Sequence, residues 1–296
     1  MGRYSIIKNK DVQEIIVDNG IIKLVIVPEQ GGRIVEFSKN NINILFRNEK
    51  YKYSKGDIKK KREQENWINF GGYKGWCAPQ GKWGWPPFFE IDLNTFSYKI
   101  AKCEDSISIE LKSIKLKELG LQFIREIIIK DNCDYINIKE TIVNVGNDEA
   151  NWSVWANTQV LTSGYCEVGL NSDPYFGGVT LYQDFDMPTT KNYNIYKKNS
   201  NNNLKVICDN NAKFKIGVVT DNEEIKYYYV ANENEKLLFT IKFNYEGKVV
   251  YPHGSNVEIF VDDELNYSEI EVLGGESRMK PGESKSLELV WRLESI

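Results

Sequence analysis

The sequence predicts an all-β fold, a large twisted antiparallel sandwich, on three observations. Apolar and polar residues alternate with period two over many short runs. Tight-turn chemistry separates those runs, and no long amphipathic helical stretch breaks the pattern. At 296 residues the chain could form one large β domain or two ordinary ones. So many short strands joined by tight turns favour a single domain over 1–296.

The alternation is clearest over 107–111, 136–142 and 257–261, where Ile, Val and Leu share one face and Ser, Asn, Lys and Glu the other. The segments 21–27, 123–129, 154–161, 213–219, 237–243 and 287–293 add β-rich runs. Asp18-Asn19-Gly20, Lys39-Asn40-Asn41, Lys130-Asp131-Asn132, Val145-Gly146-Asn147-Asp148 and Lys280-Pro281-Gly282 supply the turns between them. Gly31-Gly32-Arg33 reads as a turn into a strand, its glycines permitting positive φ. Residues 49–65, rich in Lys, Glu and Tyr, read as a solvated connector or a flap, and 191–203 as a polar surface loop.

One stretch departs from the pattern. Residues 66–89 hold four of the seven tryptophans, Trp67, Trp76, Trp83 and Trp85, interleaved with glycines, prolines, Gln80, Lys74 and Lys82. That density of Gly and Pro predicts an irregular loop in place of a helix or a long strand. Flat indoles beside fixed polar groups suit a pyranose, whose C–H faces stack while its hydroxyls need partners. The same residues could equally be an aromatic plug on the sandwich end.

Composition removes several other classes. The chain is 41% hydrophobic, enough for a packed core, and has no run of ~18 apolar residues that would cross a membrane. No signal-peptide core opens the sequence, so a cytoplasmic location is expected. A net charge of −4 without a basic face argues against nucleic acid. Five scattered cysteines, Cys77, Cys103, Cys133, Cys166 and Cys208, read as reduced and mostly buried thiols. One histidine, His253, leaves no multi-histidine metal site, and no cofactor or metal is expected.

Two further strands carry polar candidates. Over 152–159, Ser153, Trp155, Asn157 and Gln159 share one face, and Trp155 is hard to explain as a solvated residue. Over 269–272, Glu269 and Glu271 share a face opposite Ile270 and Val272; carboxylates so placed are most often solvated. His253 in a Pro-His-Gly turn reads as a surface residue, and Asp262-Asp263-Glu264 as an acidic turn.

Taken together these stretches resemble a known family. Gly31-Gly32-Arg33 after an apolar strand resembles the early turn of aldose 1-epimerases, the galactose mutarotases. The segment 69–80 (Asn-Phe-Gly-Gly-Tyr-Lys-Gly-Trp-Cys-Ala-Pro-Gln) with Trp83-Gly84-Trp85-Pro86-Pro87 is similar to a bacterial family in that superfamily, domain of unknown function 4380. The strand 267–273, the turn Lys280-Pro281-Gly282-Glu283-Ser284 and the strand to Trp291 resemble the superfamily's C-terminus. The resemblance spans roughly residues 18–293.

It implies the galactose mutarotase-like supersandwich, with a sugar bound on a concave sheet. It also implies a glutamate base on the anomeric hydroxyl and a histidine acid on the ring oxygen. Glu271 stands where the glutamate should be, and Asn157 where the histidine should be. Asn157 can orient a hydroxyl but delivers no proton, so Lys74 or His253 would have to substitute. The implied substrate-binding set is Asn69, Lys74, Trp76, Gln80, Trp83, Trp85, Trp155, Asn157 and Gln159, with Glu271 catalytic. Two functions follow as alternatives, an aldose 1-epimerase-like isomerase and a non-catalytic sugar-binding or sensing module. Lys74, Lys82 and Arg33, if they formed a basic pocket, would point to a phosphorylated or acidic sugar. The partner expected is a small-molecule carbohydrate, with no nucleic acid and no membrane; sandwich edges of this kind would allow a homodimer.

Overall fold

Each run in which the sequence alternates becomes a strand. The expected segments fall inside Ser106–Lys112, Tyr135–Asn144, Val257–Val261, Leu121–Lys130, Ala150–Leu161, Phe214–Val218, Glu235–Phe243 and Ser284–Ser295, to within a residue or two at their ends. The structure is a computed structural model that describes residues 2–54, 67–87, 89–182, 195–198, 202–209 and 212–296. Most of the connector 49–65 and part of the loop 191–203 lie outside the described residues. Of the latter, Tyr196–Lys198 forms a short edge strand where a loop was expected.

Among the described residues the strands build two antiparallel sheets of twelve and ten strands. The larger runs Arg3–Asn9, Val12–Asp18, Lys23–Val27, Arg33–Lys39, Tyr73–Ala78, Ala150–Leu161, Tyr267–Leu273, Val257–Val261, Phe214–Val218, Val179–Tyr182, with Ile42–Asn43 and Ser277–Met279 off this path. The smaller runs Tyr196–Lys198, Asn203–Cys208, Gly164–Gly169, Glu224–Asn232, Glu235–Phe243, Ser284–Ser295, Tyr135–Asn144, Leu121–Lys130, Ser106–Lys112, Ser97–Lys102. The apolar faces meet in one shared core. At its centre Trp291 lies fully buried, edge-on to Tyr73 at 5.0 Å and Phe239 at 5.1 Å, and tilted against Phe37 at 5.6 Å.

The glycine-rich stretch was expected to be an irregular loop, and here the structure differs. Tyr73–Ala78 is a fully buried strand between Arg33–Lys39 and Ala150–Leu161. Gly71 and Gly72 enter it at φ of 81° and 72°, a region that disfavours any side chain. Gly75 serves another purpose. It leaves room for Glu140, which reaches from the opposite sheet to pair with Arg125 at 2.6 Å and accept from the Tyr73 hydroxyl at 3.2 Å. A glycine in mid-strand is tolerated because a buried ion pair fills the space its side chain would need. Gly75→Ala would push a methyl into that carboxylate, so we expect a loss of ~1–3 kcal/mol in urea unfolding. A Gly75→Ala protein as stable as the parent would show that Glu140 can move aside.

Gly31 and Gly32 do take positive φ, 72° and 62°. The arginine that follows them is a core residue. Arg33 is fully buried, pairs with Asp92 at 2.5 Å and donates to the Gly71 carbonyl at 3.2 Å.

Candidate functional site

Six neighbouring strands of the larger sheet turn side chains, most of them polar, to the side away from the core. Register aligns them in two rows. Lys74 faces Asn157, Asn157 faces Glu271, and Glu271 faces Glu258. One step along, Gln159 faces Glu269, then Phe260, Lys215 and Tyr182. Alternation dictates this, since Ile270, Val272, Ile259, Ile216, Val154 and Ala156 occupy the intervening positions and fill the core. Above the rows lies an open cleft of about 610 Å³, lined among others by Trp67, Trp76, Gln80, Trp85, Trp155 and Glu271.

The tryptophans form two pairs. Trp76 and Trp155 meet edge to face at 5.4 Å on the inner wall, and Trp67 and Trp85 lie 5.0 Å apart on the outer wall. Trp67 is fixed by its indole N–H donating to Asp92 at 3.2 Å. Trp85 stays 55% exposed, a free flat face at the mouth. The indole N–H groups of Trp76 and Trp155 are buried without a protein partner among the described residues.

The floor is ionic. Lys215 bridges Glu258 at 2.6 Å and Glu271 at 2.8 Å, and sits 5.0 Å from the Trp155 ring centre. Asn157 donates from Nδ2 to Glu271 Oε1 at 3.0 Å, and Gln159 from Nε2 to Glu269 Oε1 at 2.6 Å. Their other amide atoms, Asn157 Oδ1 and Gln159 Oε1, have no partner among the described residues, although both side chains are fully buried. Lys74 pairs with Glu269 at 3.4 Å beneath the Trp76 ring.

The three carboxylates are driven apart. Burial raises Glu271 well above the usual carboxylate range, and the neighbouring charges of Glu258 and Glu269 add to it against Lys215. Burial also opposes ionisation of Glu258, but the Lys215 ammonium outweighs it and brings that group down to about 2. Glu269 is lowered in the same manner, burial being overcome by Lys74 and by hydrogen bonds from Glu271 and Gln159. Lys74 itself is lowered by burial. The floor therefore holds one carboxyl, Glu271, pushed toward its protonated form beside two, Glu258 and Glu269, held toward their ionised forms.

His253 stands behind this floor. Its turn residue takes φ +60°, which brings the ring against Trp155 at 5.2 Å. Nδ1 lies 3.0 Å from Glu258, and Nε2 accepts the Gln80 backbone N–H at 3.1 Å. That pattern assigns the proton to Nδ1 and leaves Nε2 occupied. Tyr182 donates to Glu258 at 3.1 Å or to the His253 carbonyl at 2.9 Å. His253 thus positions Gln80 and Glu258, and the expectation of a surface residue is corrected.

Of the residues singled out from sequence, Trp76, Gln80, Trp85, Trp155 and Glu271 line the cleft together. Lys74, Asn157 and Gln159 lie on its floor as partners of the carboxylates. Two others do not line it. Asn69 is buried in the turn before Tyr73, its Oδ1 accepting from the Gly71 N–H at 2.9 Å. Trp83 is buried edge-on to Trp76 at 5.6 Å, its N–H donating to the Cys77 carbonyl at 2.8 Å. The basic pocket does not form. Arg33 is consumed by Asp92, Lys74 by Glu269, and Lys82 donates to the Asn151 carbonyl.

Lys215, Glu258, Phe260 and Tyr182 complete the candidate site and were not singled out from sequence; Glu269 was read there only as a carboxylate sharing a face with Glu271, a kind most often solvated. Phe260 carried the available signal, an aromatic on the otherwise polar face of an alternating strand, as Trp155 does. Another hollow, about 600 Å³ on the outer face of the smaller sheet, is lined by Glu126, Lys139, Glu224, Lys242 and Glu288. Its charges pair at the surface, Lys139 with Glu288 at 3.5 Å and Lys242 with Glu224 at 3.9 Å. It lacks the buried, unpartnered polar atoms of the cleft floor.

This two-sheet architecture is the galactose mutarotase-like fold. A galactose mutarotase-like protein from Clostridium acetobutylicum superposes with a TM-score of 0.65 at 15% identity, covering 100% of this chain and 99% of that one. A putative mutarotase from Salmonella typhimurium gives 0.62 at 12% identity, covering 99% and 94%. Galactose 1-epimerase from Lactobacillus acidophilus gives 0.60 at 10% identity, covering 100% and 99%. The chain belongs to the family described as domain of unknown function 4380, whose model matches residues 12–294. No curated protein matches the sequence.

Proposed function

We propose that this protein binds a monosaccharide in the cleft and interconverts its anomers, an aldose 1-epimerase-like isomerisation run by two carboxyl groups. One observation carries the reading: two indole pairs and a pair of carboxyls pushed in opposite directions by burial and by the neighbouring lysines line the same cleft. The pyranose stacks on the exposed face of Trp85 at the mouth, and its hydroxyls meet the carboxyl groups lining the cleft.

Glu269, ionised, takes the proton of the anomeric hydroxyl as the C1–O1 double bond forms. The C1–O5 bond breaks, and O5 takes the proton of Glu271. Rotation about C1–C2 and the reverse transfers close the ring on the other face, so both carboxyls return to their starting states. Environments that push two carboxyl groups apart are how one site supplies both an acid and a base. The resemblance assigned Glu271 the base role. We read it as the acid, because its burial among carboxylates keeps it protonated. Glu271 then fills the place of the histidine that Asn157 replaces.

Binding without turnover is the second reading, favoured by the absence of a titratable group at Asn157. Saturation-transfer NMR with a panel of aldoses, with anomeric exchange followed in the same samples, separates them. Binding with accelerated exchange is the expected result. Binding without acceleration would leave a sugar-binding module, and no binding across the panel would remove the sugar reading.

A further inference from the structure

Among the described residues, every ammonium group at the cleft is already committed to a carboxylate. Lys74 pairs with Glu269 at 3.4 Å, Lys215 with Glu258 and Glu271 at 2.6 and 2.8 Å, and Lys213 approaches Asp262 at 3.9 Å. Acids remain in surplus. Asp262, Glu264 and Glu269 line the cleft beside Glu271, whose burial favours its neutral form, and Glu264 has no cation within ion-pair distance among the described residues. The unpartnered donors at the cleft are the indole N–H groups of Trp76 and Trp155 on its wall, while the amides of the floor leave acceptors. Asn157 and Gln159 spend their N–H groups on Glu271 and Glu269, leaving buried amide oxygens without a partner on the cleft side of the sheet.

Resting on the sugar-binding reading, we infer that the preferred ligand is an amino sugar, a pyranose bearing a protonated amine, and not a phosphorylated or acidic sugar. An ammonium carries three donors and no acceptor, which matches a floor rich in acceptors. A phosphate or carboxylate carries acceptors alone. It would meet Asp262, Glu264 and Glu269 with no uncommitted lysine among the described residues to receive it, a like-charge contact that selects against such a ligand. The exposed face of Trp85 adds a surface on which a cation is favourable.

The test is a calorimetric titration at neutral pH with four forms of each of glucose, galactose and mannose. The forms are the neutral aldose, its 2-amino-2-deoxy analogue, the N-acetylated amine and the 6-phosphate. The amine is expected to bind about tenfold or more tighter than the neutral parent, the size of one charge-assisted hydrogen bond. Acetylation should abolish the gain. High salt and Glu264→Gln, which changes a rim residue that makes no ion pair, should each narrow it.

An amine no tighter than its parent, an acetylated form that keeps the gain, or a phosphate that binds tightest would overturn the amino-sugar inference. Those outcomes leave the sugar reading standing. No binding by any form in any series would instead remove the sugar reading itself.

Discussion

Glu271→Gln is expected to slow anomeric interconversion roughly 10²- to 10⁴-fold, the usual contribution of a positioned proton donor. The variant keeps the shape of the side chain and the carbonyl oxygen that accepts from Asn157 Nδ2. Sugar affinity should therefore change little while the rate falls. The pH profile of the wild-type protein adds a second check. With Glu269 as base, the rate falls on the acid side as Glu269 gains a proton, below the usual carboxylate range because its pKa is lowered. With Glu271 as acid, the rate falls on the alkaline side as Glu271 loses its proton, above that range because its pKa is raised. If Glu271 were the base, the rate would instead climb with pH through that raised value. A profile of that kind would reverse the two roles.

Lys215→Met is expected to cost ~3–5 kcal/mol of stability at neutral pH, the penalty for stripping the cation from the buried Glu258 carboxylate. Glu258 and Glu271 are fully buried and face each other across neighbouring strands, with Lys215 spanning both. The sign of the pH dependence follows from Glu258, whose pKa of about 2 lies below its ordinary value of 4.5. A depressed carboxyl contributes stability above its unfolded pKa and loses it as the pH falls through the folded one. The difference between wild type and variant should thus be widest above pH 4.5 and shrink toward pH 2. Urea unfolding at several pH values measures it. A pH-independent loss would mean that Lys215 acts through packing against Trp155 and not through charge.

Sequence alone determined the sandwich. Alternation is a local property, and each run that shows it carries its own instruction about which face meets the core. Register then follows from matching apolar faces, so Ile270, Ile259 and Ile216 fall into line without long-range information. The indole wall was legible for a related reason, since Trp155 on a polar strand face has no purpose in water. The same rule misled at Tyr73–Ala78, where glycine reads as a strand breaker. Only the opposite sheet reveals the Arg125–Glu140 pair that occupies the empty space beside Gly75.

What the tertiary structure decided is the charge state of the site. Glu269 and Glu271 look in sequence like any two solvated carboxylates on one strand face. They become different groups because Lys74 comes from one side of the sheet and Lys215 and Glu258 from the other, 195 and 56 positions away for the two lysines at their respective partners. His253 reads as a surface turn until its positive φ carries the ring behind Trp155. Alternation tells which residues share a face, and pairing order tells which charges share a volume. Ionisation depends on the second, because burial and nearby charge act over a few ångströms of space, whatever the distance along the chain.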